Sequence, residues 1–518
     1  MSVLLRAPRS NVFNRLSTIK PIPRPFPPRF STLTKTAGKV PVTKDQSSNS
    51  LEPSKSSKWK RISNGQYVRP FDPFENMFSL FCRDPARPEH RSLDVMVQVG
   101  METSEQDSNT MLKTIKKAWI GMRYLHPSLA TEVYPKEFRY MPLKSQADID
   151  AWMKKTFIVK EWDASAEVQG CQDLGITPSA DSPLLYYFPD KQKLILRMNH
   201  MHGDGRACVD LLQDLFNEIQ RLNLGGETVK EPWGAEVPKL ASGAFDTAGI
   251  TALEDDWSSN LTASLPQSQA NGEAFEIPSI DNAHPPGPGK TQSLDFSESE
   301  TSELVDQTKK MNLGITAFVH AVLLHAGKRI SPSSDSSVHS TVLIFSFREK
   351  CTGSPANANA RAAALRIGFW PVQLSMSDDF QRTAFGIKQE YKALARQKSA
   401  AIATMVPYLQ KSVAVLSKDY FKGILPSFIG NLSNRFPKTY GSFKIRDLWM
   451  CAVPTDERIY LGIQTFGDKL SIRACYNQTY HTDEQISDYL LQIKKEMYAG
   501  LTSDVEKLNF LSMLNLQS

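Results

Sequence analysis

Two hydrophobic periods alternate along this chain. A short apolar run predicts a strand at 93–99, and apolar residues at helical spacing predict a helix at 108–124 that stops at His126 and Pro127. A second strand at 193–198 is followed at once by a helix at 206–222, whose buried side is expected to carry Val209, Leu211, Leu212, Leu215, Phe216 and Ile219. The later half repeats the mixture, with helices at 298–310, 316–329 and 482–501 and strands at 340–347, 366–375, 459–465 and 469–476. No short internal repeat is present.

Between these halves, residues 223–292 turn rich in Gly, Pro, Ser and Ala and end in Pro285-Pro286-Gly287-Pro288-Gly289. That composition predicts a crossover rather than a domain. The expected organisation is an N-terminal lobe over 46–222, the crossover over 223–292 and a C-terminal lobe over 293–518. At 518 residues the chain is long enough for two α/β lobes of roughly 200 residues each.

Charge changes the picture at one end only. Nine of the 61 Lys and Arg fall in residues 1–44, which hold no acid, so the rest of the chain carries 52 basic against 55 acidic residues. The basicity belongs to a tail, and a nucleic-acid partner is not expected. Residues 1–45 read equally as a disordered basic tail or as a transit peptide, with an amphipathic patch at Val12, Phe13, Leu16 and Ile19. The protein is accordingly expected inside the cell, in the cytoplasm or the mitochondrion. The longest apolar stretch, 315–327, is interrupted by His320 and His325 and is too short to span a membrane. Six cysteines without a CxxC pair predict reduced, packed thiols.

The chemistry concentrates in Asn199-His200-Met201-His202-Gly203-Asp204-Gly205, between a buried strand and a helix. An imidazole has an ordinary pKa near 6.5 and can take a proton from a hydroxyl at neutral pH and return it. Asp204 can hold the loop by pairing with a distant cation, and Gly205 permits a tight turn or a close backbone approach.

His200, Asp204 and Gly205 match the HxxxD(G) motif, and the chain resembles the superfamily of condensation domains and plant-type BAHD acyltransferases. The likeness runs loosely over residues 70–500. It includes Tyr124-Leu125-His126-Pro127-Ser128-Leu129, Gly314 to Ala321, Val342 to Arg348, and Ser427 to Leu432. The branch it most resembles is the fungal secondary-metabolite O-acetyltransferases, trichothecene acetyltransferases among them. Two features depart from relatives: Asn199 stands where condensation domains have a first His, and the plant motif DFGWG is absent, Arg366 to Trp370 being no equivalent.

The resemblance implies a chloramphenicol-acetyltransferase-like fold, with two similar lobes around a central tunnel. His200 would be the general base, Asp204 would be salt-bridged to an arginine of the other lobe, for which Arg348 is the candidate, and Asn431 would be an oxyanion or substrate contact. The substrates implied are acyl-CoA, acetyl-CoA foremost, and a small alcohol such as a terpenoid. No bound cofactor or metal is required, and a monomer is expected.

Competing patterns are weaker. His200 to Asp204 also reads as HxHxD, the start of a dinuclear metal site, but Gly205 replaces the next ligand and few later histidines remain. A metallohydrolase, a stand-alone amide- or ester-forming condensation enzyme and a catalytically silent binding module stay as alternatives. His284 to Thr291 only mimics a phosphate loop, because prolines remove the amides it would need. No GxSxG elbow occurs. Cys208 reads as a packed residue before a nucleophile.

Overall fold

A computed structural model describes residues 58–82, 93–103, 108–161, 182–229, 232–249, 277–280, 287–331, 338–412 and 423–501. The expected basic tail, Cys171 and most of 250–286 lie outside these described residues.

The first sheet has six strands. In spatial order they are Thr439–Tyr440, Phe443–Ala452, Asp94–Glu102, Lys193–Asn199, Leu184–Phe188 and Phe157–Val159. All neighbours are antiparallel except the last pair. Lys193–Asn199 is central and nearly all buried, which is why its sequence is a run of apolar residues rather than an alternation. The tight hairpin that feeds it turns at Gln192, in the left-handed region at φ 48°.

Helices Ser108–Leu125 and Gly205–Asn223 belong to the core of this sheet. Gly205–Asn223 buries the six predicted apolar residues together with Ala207, Cys208 and Asp210. Each fully buried Leu of that stripe contributes roughly 1.5–3 kcal/mol.

The second sheet runs Ile424–Asn431, Ile459–Phe466, Lys469–Asn477, Gly289–Asp295, with the first pair parallel. Helices Glu298–Lys310, Ile315–Ile330 and Asp483–Leu501 accompany it. Glu298–Lys310 begins with a reciprocal cap, Glu300 N donating to Ser297 Oγ and Ser297 N to Glu300 Oε2. Ile315–Ile330 is apolar nearly all round because it is buried nearly all round. Strands Val338–Ser346 and Ile367–Ser375 form a separate antiparallel pair, and a long helix occupies Phe380–Ser412.

The division of the chain is less simple than its sequence suggests. Gly289–Asp295 is a strand that crosses the expected boundary at 292. Phe443–Ala452 pairs with Asp94–Glu102, so a segment from the later half completes the sheet of the earlier half. Its alternating apolar pattern suits either sheet, and only tertiary pairing decides. Mixed open sheets with helices are thus the architecture expected from the sequence. Among the described residues, no helix is long and apolar enough to cross a membrane. The described cysteines Cys208, Cys351, Cys451 and Cys475 are buried free thiols.

Candidate active site

The motif begins where strand Lys193–Asn199 ends. Asn199 Oδ1 accepts a hydrogen bond from Met201 N at 2.8 Å, which folds the chain into a turn, and His200 N donates to the carbonyl of Leu93 at 2.9 Å. Just before the turn, Arg197 Nε donates to Asp94 Oδ2 at 2.6 Å, a buried pair joining adjacent strands. The backbone at His200 is therefore tied to the sheet on both sides.

His200 lines a cavity of about 200 Å³. Its Nδ1 is buried without a hydrogen-bond partner of ordinary geometry. Phe78 packs on the imidazole with ring centroids 4.7 Å apart. Burial lowers the histidine's pKa from 6.5, while the Asp204 charge and the carbonyls of His200 and Gly203 oppose it; the net shift is downward. The ring is neutral at pH 7 and can accept a proton.

Asp204 does different work. It caps the helix Gly205–Asn223, Oδ1 accepting from Ala207 N at 2.8 Å, while Oδ2 accepts from Arg366 N at 2.7 Å. The Arg348 guanidinium donates from Nη2 to Oδ2 at 2.9 Å and from Nε to Oδ1 at 3.3 Å. Both side chains are 1% exposed. The expected ion pair is present, and Arg348 also donates to the carbonyls of Ala362 and Ala364, pinning the loop that leads into Arg366. Burial pushes the Asp204 carboxyl up, but the Arg348 charge and the three donors hold it below its ordinary value. Each carboxylate oxygen of Asp204 accepts two hydrogen bonds, which tie the loop to the helix and to Arg348.

Gly205 opens the helix. A Cβ there would lie 2.1 Å from Met450 Sδ, so the glycine admits a side chain from the inserted strand Phe443–Ala452. The close approach is to Met450, which itself lines the cavity.

The remaining expectations separate. His202 Nε2 meets the carbonyl of Thr131 at 2.9 Å and belongs to a different pocket from His200. The two histidines do not converge as an HxHxD metal site requires, and among the described residues no three His, Cys, Asp or Glu group as ligands. Burial raises the Cys208 thiol far from the reactive range, in keeping with packing. Asn431 does not line the His200 cavity. Its Oδ1 accepts from Ser433 N at 2.9 Å, and it lines a second cavity of about 450 Å³ that shares Phe428 with the first. The cause is a register shift between Phe428 and Gly430, with Gly430 at φ +87°, which turns the end of strand Ile424–Asn431 away.

Several lining residues were not singled out from the sequence: Arg206, Arg435 and Tyr460. Ser346 and Ser427 were, as parts of strands, without a role. Arg206 directly follows the motif and was the one signal available. The others arrive from distant segments.

No family model matches the chain. In sequence it is 23% identical over 442 residues to acetyltransferase pigO of Monascus ruber, covering 82% of this chain and 94% of that protein. It is 19% identical to O-acetyltransferase pigM of the same organism, over 86% of this chain and 88% of the relative. A third relative, 20% identical over 84% of this chain and 96% of its own length, is named loline biosynthesis cluster 1 transcription factor lolU1 of Epichloe uncinata. In structure the chain is similar to TRI3 trichothecene 15-O-acetyltransferase from Fusarium sporotrichioides, with a TM-score of 0.72 at 15% identity, over 87% of this chain and 99% of that one. The first condensation domain of the CDA synthetase follows at a TM-score of 0.59 and 11% identity, over 81% and 94%. The fold is that of the condensation-domain-like acyltransferases.

Proposed function

We propose that this chain, with its condensation-domain-like acyltransferase fold and its similarity to fungal acetyltransferases, transfers an acyl group from acyl-CoA to a hydroxyl of a secondary metabolite. Acetyl is the favoured acyl group and a terpenoid alcohol the favoured acceptor, following the names of the relatives and of TRI3. The observation that carries the reading is His200, lining a cavity and packed against Phe78, with its pKa lowered and its neighbouring carboxylate already paired with Arg348.

His200 Nε2 takes the proton of the acceptor hydroxyl as its oxygen attacks the thioester carbonyl. The tetrahedral oxyanion needs donors at about 3 Å. Ser346 and Ser427 line the same cavity, and Ser346 Oγ accepts from Arg348 N, which leaves its own hydrogen for a ligand. Collapse expels the CoA thiolate, which receives the proton from His200 and leaves as thiol with the ester formed. Asp204, Arg348 and Gly205 position the base. Asn431, facing the second cavity, is a substrate contact at a distance from the reacting carbonyl. The acyl-CoA is a substrate, and the reaction calls on no metal or prosthetic group. The enzyme would act as a monomer inside the cell.

The test is thiol release from acetyl-CoA and longer acyl-CoAs with hydrophobic alcohols, comparing wild type with His200→Ala. Loss of a general base costs about 10² to 10⁴ in rate. Equal turnover in both proteins would sink the His200 mechanism. A condensation enzyme is the second reading, favoured by the fold of the CDA domain; turnover from carrier-bound thioesters and none from CoA would select it.

A further inference from the structure

The charges that line the two cavities differ in sign. The second cavity is bordered by Glu298, Asp306 and Asp468 against Lys309. The His200 cavity has one lining carboxylate, Asp204, already paired, and two guanidiniums, Arg206 and Arg435.

Arg206 sits where stability argues against a cation. It is in the first turn of helix Gly205–Asn223, where the helix dipole favours negative charge. Its Nε is buried without a hydrogen-bond partner. The nearest carboxylate is Asp210, 3.8 Å from Nε and also 3.9 Å from Arg361. Burial lowers its pKa first of all; Asp210 opposes this, and the nearby charges of Arg435 and Arg348 add to it. Arg435 follows the turn Leu432–Asn434 on the far side of the cavity wall, is exposed, and has no side-chain hydrogen bond or ion pair among the described residues. Two like charges gathered on one small cavity, one of them partly desolvated, mark a local cost that the long contact to Asp210 only partly offsets. An anion supplied from outside would offset the rest.

We infer that Arg206 and Arg435 form an anion subsite of the His200 cavity, which holds carboxylate or phosphate oxygens of a substrate. The ligand chemistry has two sources under the acyltransferase reading on which this inference rests: an acid group on the acceptor, or the phosphates of CoA. A cavity of about 200 Å³ holds only a few heavy atoms beside the histidine, so an acceptor acid would sit close to the reacting hydroxyl, whereas CoA phosphates would lie at the cavity mouth, a pantetheine arm away. The acid-lined second cavity repels both.

The experiment reads binding and not transfer. Carbethoxylation of His200 by diethylpyrocarbonate is followed by peptide mass spectrometry in the full chain, with two matched pairs of protecting probes: 3-hydroxydodecanoate against its methyl ester, and CoA against pantetheine. In wild type the anionic member of at least one pair is expected to half-protect at a concentration about tenfold or more lower than its partner. The gap should narrow with salt and shrink in Arg206→Gln and Arg435→Gln. A gap in the hydroxy-acid pair assigns the anion to the acceptor, and one in the CoA pair assigns it to the donor; either supports the subsite. Equal protection within both pairs in wild type, or a gap that survives both substitutions, overturns it. Arg435 is exposed, so Arg435→Gln keeps the fold whatever Arg206→Gln does. A chain that shows the gap but transfers no acyl group sinks the acyltransferase reading alone.

Discussion

Desolvation lowers the pKa of both His200 and His320, yet their surroundings differ: His200 is half-buried at a cavity, and His320 is fully buried within a helix. His320 lies inside helix Ile315–Ile330, 0% exposed, its Nδ1 3.2 Å from Tyr391 Oη and its ring 5.6 Å from that of Phe428. Burial drives its pKa down to about 3, with His339 nearby adding to the shift. No carboxylate or carbonyl stands against that loss, so the ring is packing material. His200 has the Asp204 charge and two carbonyls to moderate its desolvation, and it lines a cavity. A shifted histidine becomes a candidate base only when something nearby can stabilise its protonated form.

The largest effect on this contrast should come from its anchor. Asp204→Ala leaves the Arg348 guanidinium buried without a counter-charge and removes a helix cap, so chemical denaturation should report a loss of about 3–5 kcal/mol, with activity falling alongside. A stability within 1 kcal/mol of wild type would remove Asp204 from that role. Next is the pH profile of kcat/KM. The active form of His200 is neutral and its folded pKa lies below 6.5. The acid limb of kcat/KM should therefore be centred below pH 6.5, and a limb centred above 6.5 would contradict the assignment. The smallest effect concerns His320. A base whose folded pKa is depressed costs stability as pH drops below its unfolded value near 6.5, and the loss continues until the folded ring titrates near 3. His320→Phe should make the fall of Tm between pH 6.5 and 4 shallower while acyl transfer at pH 7 changes little. A change in transfer as large as that of His200→Ala would mean that His320 serves the reaction.

Much of the site was legible because it is contiguous. His200, Asp204 and Gly205 fall within six residues, and the helix after them declares itself by its 3.6-residue stripe. Arg348 was within reach only through the family resemblance, which implies an arginine at the end of that strand paired with Asp204. That Asn431 borders the second cavity and not the one at His200 was not legible, because no alternation in sequence announces the register shift between Phe428 and Gly430. Helix Pro73–Cys82, which brings Phe78 to the imidazole, gave no signal that would set its aromatics apart from ordinary core residues. The Arg206 and Arg435 pair is a product of folding alone, since each is an ordinary surface residue until the other is brought near.

The inserted strand Phe443–Ala452 also sets a timetable. Its contact with Asp94–Glu102 includes Gln98 Nε2 donating to Asp447 Oδ1 across 349 positions of sequence. A ribosome adding about 5–20 residues per second needs on the order of tens of seconds to cover that interval. Throughout it the nascent first lobe carries an unfinished sheet whose free edge invites pairing with another chain. The same wait applies to the base, because Met450 and Arg348, which frame Gly205 and Asp204, emerge long after His200. Chaperone demand during synthesis, and a tendency of truncated chains to aggregate before they can bind substrate, are the consequences of closing one lobe with a segment of the other.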